Sequence, residues 1–164
     1  MNDTFNKEYE ETLGVDLFTK TISTEADTGN GIRLQVWDTS GQERFKASIP
    51  SYIKDCHVAI IPFDCTNRQQ YDSIDKWIKE VSMIRNNDEV WIYIVATKCE
   101  KPLDSRCYTC IEMDTKLQTL QRQESINNNI IQYIETSAKA GYSIRKLFYN
   151  ITSKLLAQVP PNKQ

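Results

Sequence analysis

The feature that most constrains the fold is an alternation of two kinds of segment along the chain. Continuous apolar runs of strand length occupy residues 58–66 and 90–98, and between them apolar residues recur at helical spacing over residues 71–84. Continuous apolar runs are typical of strands covered on both faces, and their alternation with helices is typical of a parallel sheet with crossover connections. The sequence therefore predicts an α/β fold.

Further segments extend this pattern. Residues 16–24 alternate between apolar and polar, and a turn at residues 27–31 leads into a second strand at residues 32–39. Because the connection is short, these two strands are predicted to pair antiparallel. A fifth strand is predicted at residues 130–138. Helical spacing of apolar residues predicts two more helices, within residues 107–129 and 143–159.

Composition bounds the class of protein. The 164 residues suffice for one core and are too few for two ordinary domains, and 40% apolar with 26% charged residues is typical of a soluble globular protein. A net charge of −2 gives no electrostatic reason to expect nucleic acid as a partner. Five cysteines without a disulfide framework indicate reduced thiols, and Cys107 and Cys110 supply only half of a zinc site. No signal peptide or membrane-spanning run is recognised.

The stretch DTSGQERF, residues 38–45, follows directly on a predicted strand, at the end where α/β proteins bind ligands. Asp38 can hold a magnesium ion through its water shell, and Gly41 lets a backbone N–H approach a phosphate. Gln42 can orient a water molecule for attack on a phosphate. A turn of this composition at a strand end also occurs without such chemistry. Taken alone, the stretch leaves both interpretations equal.

Motifs along most of the chain occur in the order and spacing of the Rab small GTPases. They are YEETLGVDLFTKTI, WDTSGQERF, IPSYIKD, FDCTN, WIKEV and ETSAKAGY. The chain resembles the Golgi-associated Rab-six branch most closely, over residues 5–156. The resemblance implies one Ras-like G domain over residues 1–164, with switch I at about residues 5–18 and switch II at about residues 38–52. Its sheet would be doubly wound and mostly parallel, with one antiparallel edge strand.

The resemblance also implies roles for four residues of the two switches. Thr12 matches the switch I threonine that ligates magnesium and senses the γ-phosphate, and Asp38 matches the aspartate of the magnesium shell. Gly41 matches the glycine whose N–H meets the γ-phosphate, and Gln42 the glutamine that positions the attacking water. These matches imply GTP or GDP and magnesium as cofactors, and GTP hydrolysis as the reaction.

Six residues match the segments that recognise the guanine base in this family. They are Thr97, Lys98, Glu100, Ser137, Ala138 and Lys139. The family has Asn-Lys-x-Asp at the first of these segments, so Thr97 replaces the asparagine and Glu100 the aspartate. The carboxylate of Glu100 extends one C–C bond further, about 1.5 Å. Because a misplaced partner leaves buried polar groups unpaired, at about 1 to 3 kcal/mol each, poor guanine recognition is expected.

Three positions match the aromatic residues through which Rab proteins present their effector surface: Leu17, Trp37 and Tyr52. Leu17 replaces an aromatic residue, so it keeps apolar area and loses the ring. The resemblance implies Rab effectors and regulators as partners, in vesicle traffic. It also implies a cytoplasmic protein that associates with Golgi or vesicle membranes.

The most informative departure from the family is the phosphate-binding loop. No G-x-x-x-x-G-K-[ST] occurs in the 164 residues, and the resemblance places that loop, with its strand and helix, before Met1. A chain without these parts is expected to bind neither GTP nor GDP. No terminal cysteine offers a prenylation site, so no lipid anchor is expected. Two hypotheses stay open: an incomplete reading of a Rab-type GTPase, or a non-catalytic pseudo-GTPase that binds traffic effectors.

Pro62 is unexpected in a strand that the resemblance makes central. Proline has no N–H to donate to the ladder and belongs at edges or bulges. In the family's strand order, the missing first strand lies beside this one, so its loss would make the strand of Pro62 an edge. An edge position and a bulge are equally expected. In either case, this strand is predicted to pair with the strand at residues 90–98.

Overall fold

The computed structural model describes residues 5–6, 8, 10–22, 32–85, 90–122 and 130–158, without the side chains of residues 43, 130 and 131. The strands in this part of the chain are β1 (Val15–Ile22), β2 (Ile32–Thr39), β3 (Val58–Asp64), β4 (Trp91–Thr97) and β5 (Ile130–Glu135). The α-helices are α1 (Ile49–Ile53), α2 (Arg68–Arg85), α3 (Cys110–Gln121) and α4 (Ile144–Gln158), with short 3-10 helices at Glu43–Ser48 and Leu103–Ser105. The alternation of strands and helices confirms the predicted α/β class.

The chain falls into two compact units. The first, here called the hairpin unit, comprises Met1–Ile49 and Arg145–Gln164, and the second, the sheet unit, comprises Pro50–Ile144. The hairpin unit contains β1, β2 and almost all of α4. The sheet unit contains β3, β4, β5, α2 and α3.

In the hairpin unit, β1 and β2 pair antiparallel, as predicted. The register runs from Val15 opposite Thr39 to Ile22 opposite Ile32, so the described ladder is unbroken. The N–H of Ser40 donates to the carbonyl of Gly14 at 2.8 Å and continues the ladder beyond the last pair. Gly14 has φ +82°, a left-handed conformation that favours glycine. The turn predicted at residues 27–31 lies outside the described residues.

The three strands of the sheet unit form a parallel sheet in the order β3, β4, β5. Residues Val90 to Ala96 are all buried, as expected for a strand covered on both faces. On one face, the ring of Phe63 contacts Tyr71 of α2 and Tyr108, and the last two rings stack with centroids 5.1 Å apart. This aromatic cluster joins β3 to α2 and to the segment before α3.

Helix α3 spans Cys110–Gln121, inside the segment in which a helix was predicted, residues 107–129. Thr109 is its N-cap: its side chain accepts from the N–H of Glu112 at 3.1 Å, and the Glu112 carboxylate accepts from the N–H of Thr109 at 2.7 Å. This reciprocal capping box fixes the first turn at Cys110. Met113 and Leu120 are its buried residues.

Pro62 lies in an end strand of the described three-stranded sheet rather than at a bulge. The register between β3 and β4 is continuous through the pair of Pro62 and Val95, which excludes a bulge there. The carbonyl of His57 accepts from the N–H of Trp91, and the N–H of Cys65 donates to the carbonyl of Thr97, both at 3.1 Å, so both groups face β4. Because successive residues of a strand direct their backbone groups to opposite edges, the nitrogen of Pro62 points away from β4. The predicted pairing and orientation of this strand are therefore confirmed.

Candidate functional site

The hairpin unit brings together the two residues to which the resemblance assigns magnesium. Asp38 is the second-last residue of β2, and the hydroxyl of Thr12 donates to its Oδ2 at 3.4 Å. Asp16 lies opposite Asp38 in the ladder, in β1. Antiparallel pairing thus places the chain before β1 beside the carboxyl end of β2, which explains why residues 26 positions apart meet.

Gln42 is held at both ends of its side-chain amide. Its Nε2 donates to Glu11 at 2.5 Å, and its Oε1 accepts from Nε of Arg44 at 2.6 Å. Its backbone N–H donates to the hydroxyl of Ser40 at 3.2 Å. The amide therefore has a defined orientation that is set by the chain itself. Sequence reasoning assigned Gln42 a water-positioning role and gave no role to Glu11 or Arg44.

Gly41 has open space where a side chain would begin. A Cβ built on it meets no atom within 4 Å, so packing inside the described structure does not require glycine here. The reason that the resemblance gives for glycine at this position is the close approach of a phosphate to the backbone.

The residues of the hairpin unit match only part of a nucleotide site. A hydroxyl and a carboxylate, from Thr12 and Asp38, are oxygen donors suited to magnesium. A phosphate chain also requires a cradle of backbone N–H groups and a lysine, and the 164 residues contain no loop of that pattern. Among the described residues, no group of three or more His, Cys, Asp or Glu is arranged to hold a metal ion. Residues 1–164 therefore supply part of a magnesium site and no cradle for the phosphates.

In the sheet unit, the three side chains matched to the base-recognition motif all contact the chain itself. The hydroxyl of Thr97 donates to the carbonyl of Phe63 at 2.9 Å. The ammonium of Lys98 lies 2.8 Å from Oδ2 of Asp64. A hydrogen bond from Ser137 lowers the pKa of the Glu100 carboxyl, so the carboxylate accepts a bond from a neighbouring loop. Each of these three side chains thus has an internal partner.

Asp64, at the carboxyl end of β3, is the centre of these contacts. Its Oδ1 accepts from the N–H of Thr66 at 2.9 Å and from the hydroxyl of Thr66 at 2.7 Å, while Lys98 and Lys101 approach Oδ2. Partial burial acts to raise the pKa of Asp64, but the bonds from Lys98 and Thr66 outweigh it and hold the pKa well below its usual range. The motif FDCTN contained this residue, and no sequence signal gave it a role.

Lys98 is fixed by its backbone as well as by this ion pair. It has φ +60°, a left-handed conformation that is uncommon for a residue with a side chain. Such conformations cost on the order of 1 to 3 kcal/mol and persist where the surroundings fix them. The ion pair with Asp64 is one interaction that holds Lys98 in this conformation.

Replacing Asp64 by asparagine is expected to destabilise the protein by about 1 to 3 kcal/mol at pH 7, because Asp64 receives charge-assisted bonds with a side chain only 13% exposed. Since its pKa is lowered in the fold, its contribution is present above its unfolded pKa and is lost as pH falls through the folded value. The difference in free energy of unfolding between wild type and Asp64→Asn, measured in urea, should therefore shrink below about pH 4. Asp72→Asn, at an exposed ion pair on α2, is the matched control and should cost well under 1 kcal/mol. Equal losses for both variants would contradict the assignment.

The loop matched to the back of the base is joined to the base-recognition segment. The N–H of Cys99 donates to the carbonyl of Thr136 at 3.0 Å, and the N–H of Thr136 donates to Ala96 at 2.8 Å. Ser137 is fully buried, and its hydroxyl accepts from Ala140 at 3.0 Å. Ala138 and Lys139 are exposed. The structure therefore brings together, through backbone hydrogen bonds, the two segments that the resemblance assigns to the guanine base.

A network of polar side chains joins the segment between β4 and α3 to strand β5. The guanidinium of Arg106 makes two parallel bonds to the carboxylate of Glu135, at 2.6 and 2.8 Å. The hydroxyl of Tyr133 donates to Glu135 at 2.9 Å and lies 2.7 Å from the hydroxyl of Tyr108. The bonds from Arg106 lower the pKa of Glu135, and burial raises the pKa of Tyr108 to about 12. Glu135 is therefore the charged acceptor of the network.

Two of the three predicted effector residues lie side by side. Leu17 of β1 is directly opposite Trp37 of β2 in the ladder, so both side chains project from the same face of the hairpin. They are 50% and 48% exposed. Tyr52 lies on α1 in the sheet unit and is half-buried. The apolar pair of Leu17 and Trp37 is here called the hairpin face.

An antiparallel hairpin, a parallel sheet with helices, and a switch-type cluster at the end of β2 define a small GTPase-like domain. A model of the Ras family matches residues 1–157. The chain therefore belongs to the Ras family, and the predicted Ras-like fold class is confirmed. Ras-family proteins in general bind GTP or GDP with magnesium, and they act through effectors and regulators. No helix in the described part of the chain combines the length and apolar content needed to cross a membrane.

Proposed function

We propose that this protein is a Rab-type switch module of intracellular vesicle traffic, related to the Golgi branch, and that residues 1–164 present an effector surface and do not by themselves bind a nucleotide. The observation that carries the proposal is the hairpin face: Leu17 and Trp37 form an exposed apolar pair. Exposed apolar pairs on a rigid strand scaffold are suited to binding a protein partner. The resemblance of its motifs to those of Rab proteins supports the traffic role and a cytoplasmic location with association to Golgi or vesicle membranes.

Absence of nucleotide binding is the second part of the proposal. The 164 residues contain no phosphate loop, so Thr12, Asp38 and Gly41 lack the groups that would hold the β- and γ-phosphates beside them. The base-recognition side chains contact Phe63, Asp64 and Ser137 instead. These two features act on opposite ends of the nucleotide, and either one weakens binding.

The 164-residue chain is therefore expected to bind neither GTP nor GDP when titrated with magnesium in a calorimeter. A Ras-family protein with an intact phosphate loop, titrated under the same conditions, serves as the positive control. Asp38→Ala serves as a matched variant, because heat that persists in it does not arise from the magnesium site. Micromolar affinity for GTP that disappears in Asp38→Ala would overturn the proposal.

A second candidate function is GTP hydrolysis, which the meeting of Thr12 with Asp38 favours. A hydroxyl and a carboxylate in contact at the end of β2 are two of the groups that magnesium-dependent hydrolysis needs. Gln42 supplies a third, although its amide is engaged by Glu11 and Arg44. This function requires a phosphate loop, which residues 1–164 do not contain.

A further inference from the structure

We infer that Glu11, Gln42 and Arg44 form a latch that joins switch I to switch II in place of a nucleotide phosphate, so that the hairpin face keeps one conformation without a nucleotide. The inference rests on the proposed function, because it concerns how the effector surface is held. It assigns the two charged residues a regulatory role that neither the motifs nor the family match indicated.

The latch is a chain of polar contacts with a defined polarity. The carboxylate of Glu11 can only accept hydrogen bonds, and the guanidinium of Arg44 can only donate them. Gln42 satisfies both, because its Nε2 donates to Glu11 at 2.5 Å and its Oε1 accepts from Arg44 at 2.6 Å. Both bonds involve a charged partner, which makes them stronger than bonds between neutral groups. The amide therefore lies in the one orientation that suits both neighbours.

The latch restrains the amide that water positioning would use. A glutamine that orients an attacking water needs its amide oxygen or N–H₂ group free to face that water. Here Glu11 and Arg44 occupy both ends of the amide of Gln42. The residue that matches the family's catalytic glutamine therefore links two protein segments, and the second N–H and the second lone pair of its amide are the groups left for a water molecule.

The latch acts on the end of the hairpin that carries the effector pair. Glu11 and Gln42 lie just outside the ladder, whose last contact is the bond from the N–H of Ser40 to Gly14 at 2.8 Å. Thr12, next to Glu11, makes a second cross-contact, to Asp38. Three contacts thus close one end of the β1–β2 ladder, and the pair of Leu17 and Trp37 lies three residues along each strand from the Gly14–Ser40 bond. Holding this end fixes the register of the hairpin face.

The experiment measures hydrogen exchange of the Ser40 amide by NMR in the 164-residue chain without nucleotide. Glu11→Ala is expected to raise the exchange rate of Ser40 by about tenfold, because local opening of the ladder end becomes easier. Glu10→Ala, an exposed neighbour one position away, is the matched control and should leave the rate unchanged. The Thr136 amide, which bonds to Ala96 inside the sheet unit, reports whether each variant remains folded.

A charge exchange separates the latch from a general loss of structure. With Glu11→Arg and Arg44→Glu together, a rotation of the Gln42 amide by half a turn recreates both bonds with the charges exchanged, so Ser40 protection should return. Either reversal alone should remove it. Unchanged exchange in Glu11→Ala, or no rescue by the double reversal, would overturn the latch.

Nucleotide addition tests the independence of the hairpin face. Millimolar GDP or GTP with magnesium should leave the Ser40 exchange rate unchanged in the wild type, and a slower rate would overturn the inference. If calorimetry detects GTP binding while Ser40 protection still depends on Glu11, the proposed absence of nucleotide binding fails and the latch stands.

Discussion

Fusing a Ras-family first strand, phosphate loop and helix in front of Met1 is expected to convert the chain from no measurable nucleotide binding to magnesium-dependent binding of GTP and GDP. The added loop supplies the backbone N–H groups and the lysine that hold the β- and γ-phosphates. Thr12 and Asp38 already lie in contact at the end of β2. At a nucleotide concentration of 100 times Kd, binding should add about 2.7 kcal/mol to the free energy of unfolding.

The readouts for this fusion are calorimetric affinity and melting temperature, each with and without magnesium. The control is the same fusion with the lysine of the added loop replaced by alanine, which keeps the strand and helix and removes the phosphate contact. A gain in melting temperature shared by both fusions reports strand pairing alone. Stabilisation by nucleotide that occurs in the parent fusion, and does not occur in the alanine control, would indicate a completed phosphate site.

Pro62 decides how well the added strand can pair. The nitrogen of Pro62 faces away from β4 and has no proton to donate. Pro62→Val restores a donor at that position and should strengthen pairing by about 1 kcal/mol, the net value of one hydrogen bond. A fusion that stays unfolded and empty even with Pro62→Val would count against the GTPase hypothesis and in favour of a pseudo-GTPase whose sheet is adapted to an edge.

The strands were predictable because their signals are local. Residues 90–98 form a continuous apolar run, and the central strand Trp91–Thr97 is buried on both faces for that reason. The antiparallel pairing of β1 and β2 followed from two alternating segments with a short connection. The bounds of α3 were less predictable, since the capping box of Thr109 and Glu112 was not recognised in a polar segment.

The contacts of the candidate site could not be predicted from local pattern. Asp64 meets Lys98 across two neighbouring strand ends, and Glu11 meets Gln42, which lies 31 positions further along the chain. Such pairs depend on the register of strands that are far apart in sequence. The resemblance supplied roles for Lys98 and Gln42 as ligand contacts, whereas the structure shows both engaged by protein groups. A family match therefore identifies which residues occupy a site, and only the coordinates show what those residues contact.

Within the same fusion, Thr97→Asn combined with Glu100→Asp is expected to raise the preference for GTP over ATP by about tenfold, the factor that corresponds to 1.4 kcal/mol. The hydroxyl of Thr97 donates to the carbonyl of Phe63, and the carboxylate of Glu100 accepts from Ser137. An aspartate is shorter by about 1.5 Å, one C–C bond. It therefore draws the carboxylate back to the position from which the family aspartate accepts two N–H bonds of guanine.

The measurement is the ratio of GTP to ATP dissociation constants, compared among the fusion, each single variant and the double variant. Glu100→Asp should account for most of the change, because the carboxylate makes the contact that distinguishes guanine from adenine. Glu100→Gln is the matched control, since it keeps the length of the side chain and removes the charge that two N–H donors require. If the ratio stays the same in the double variant while magnesium-dependent affinity is intact, the base-recognition role of Thr97 and Glu100 is wrong. The two segments, Ala96–Glu100 and Thr136–Lys139, would then serve only to join neighbouring strand ends through their bonds to each other.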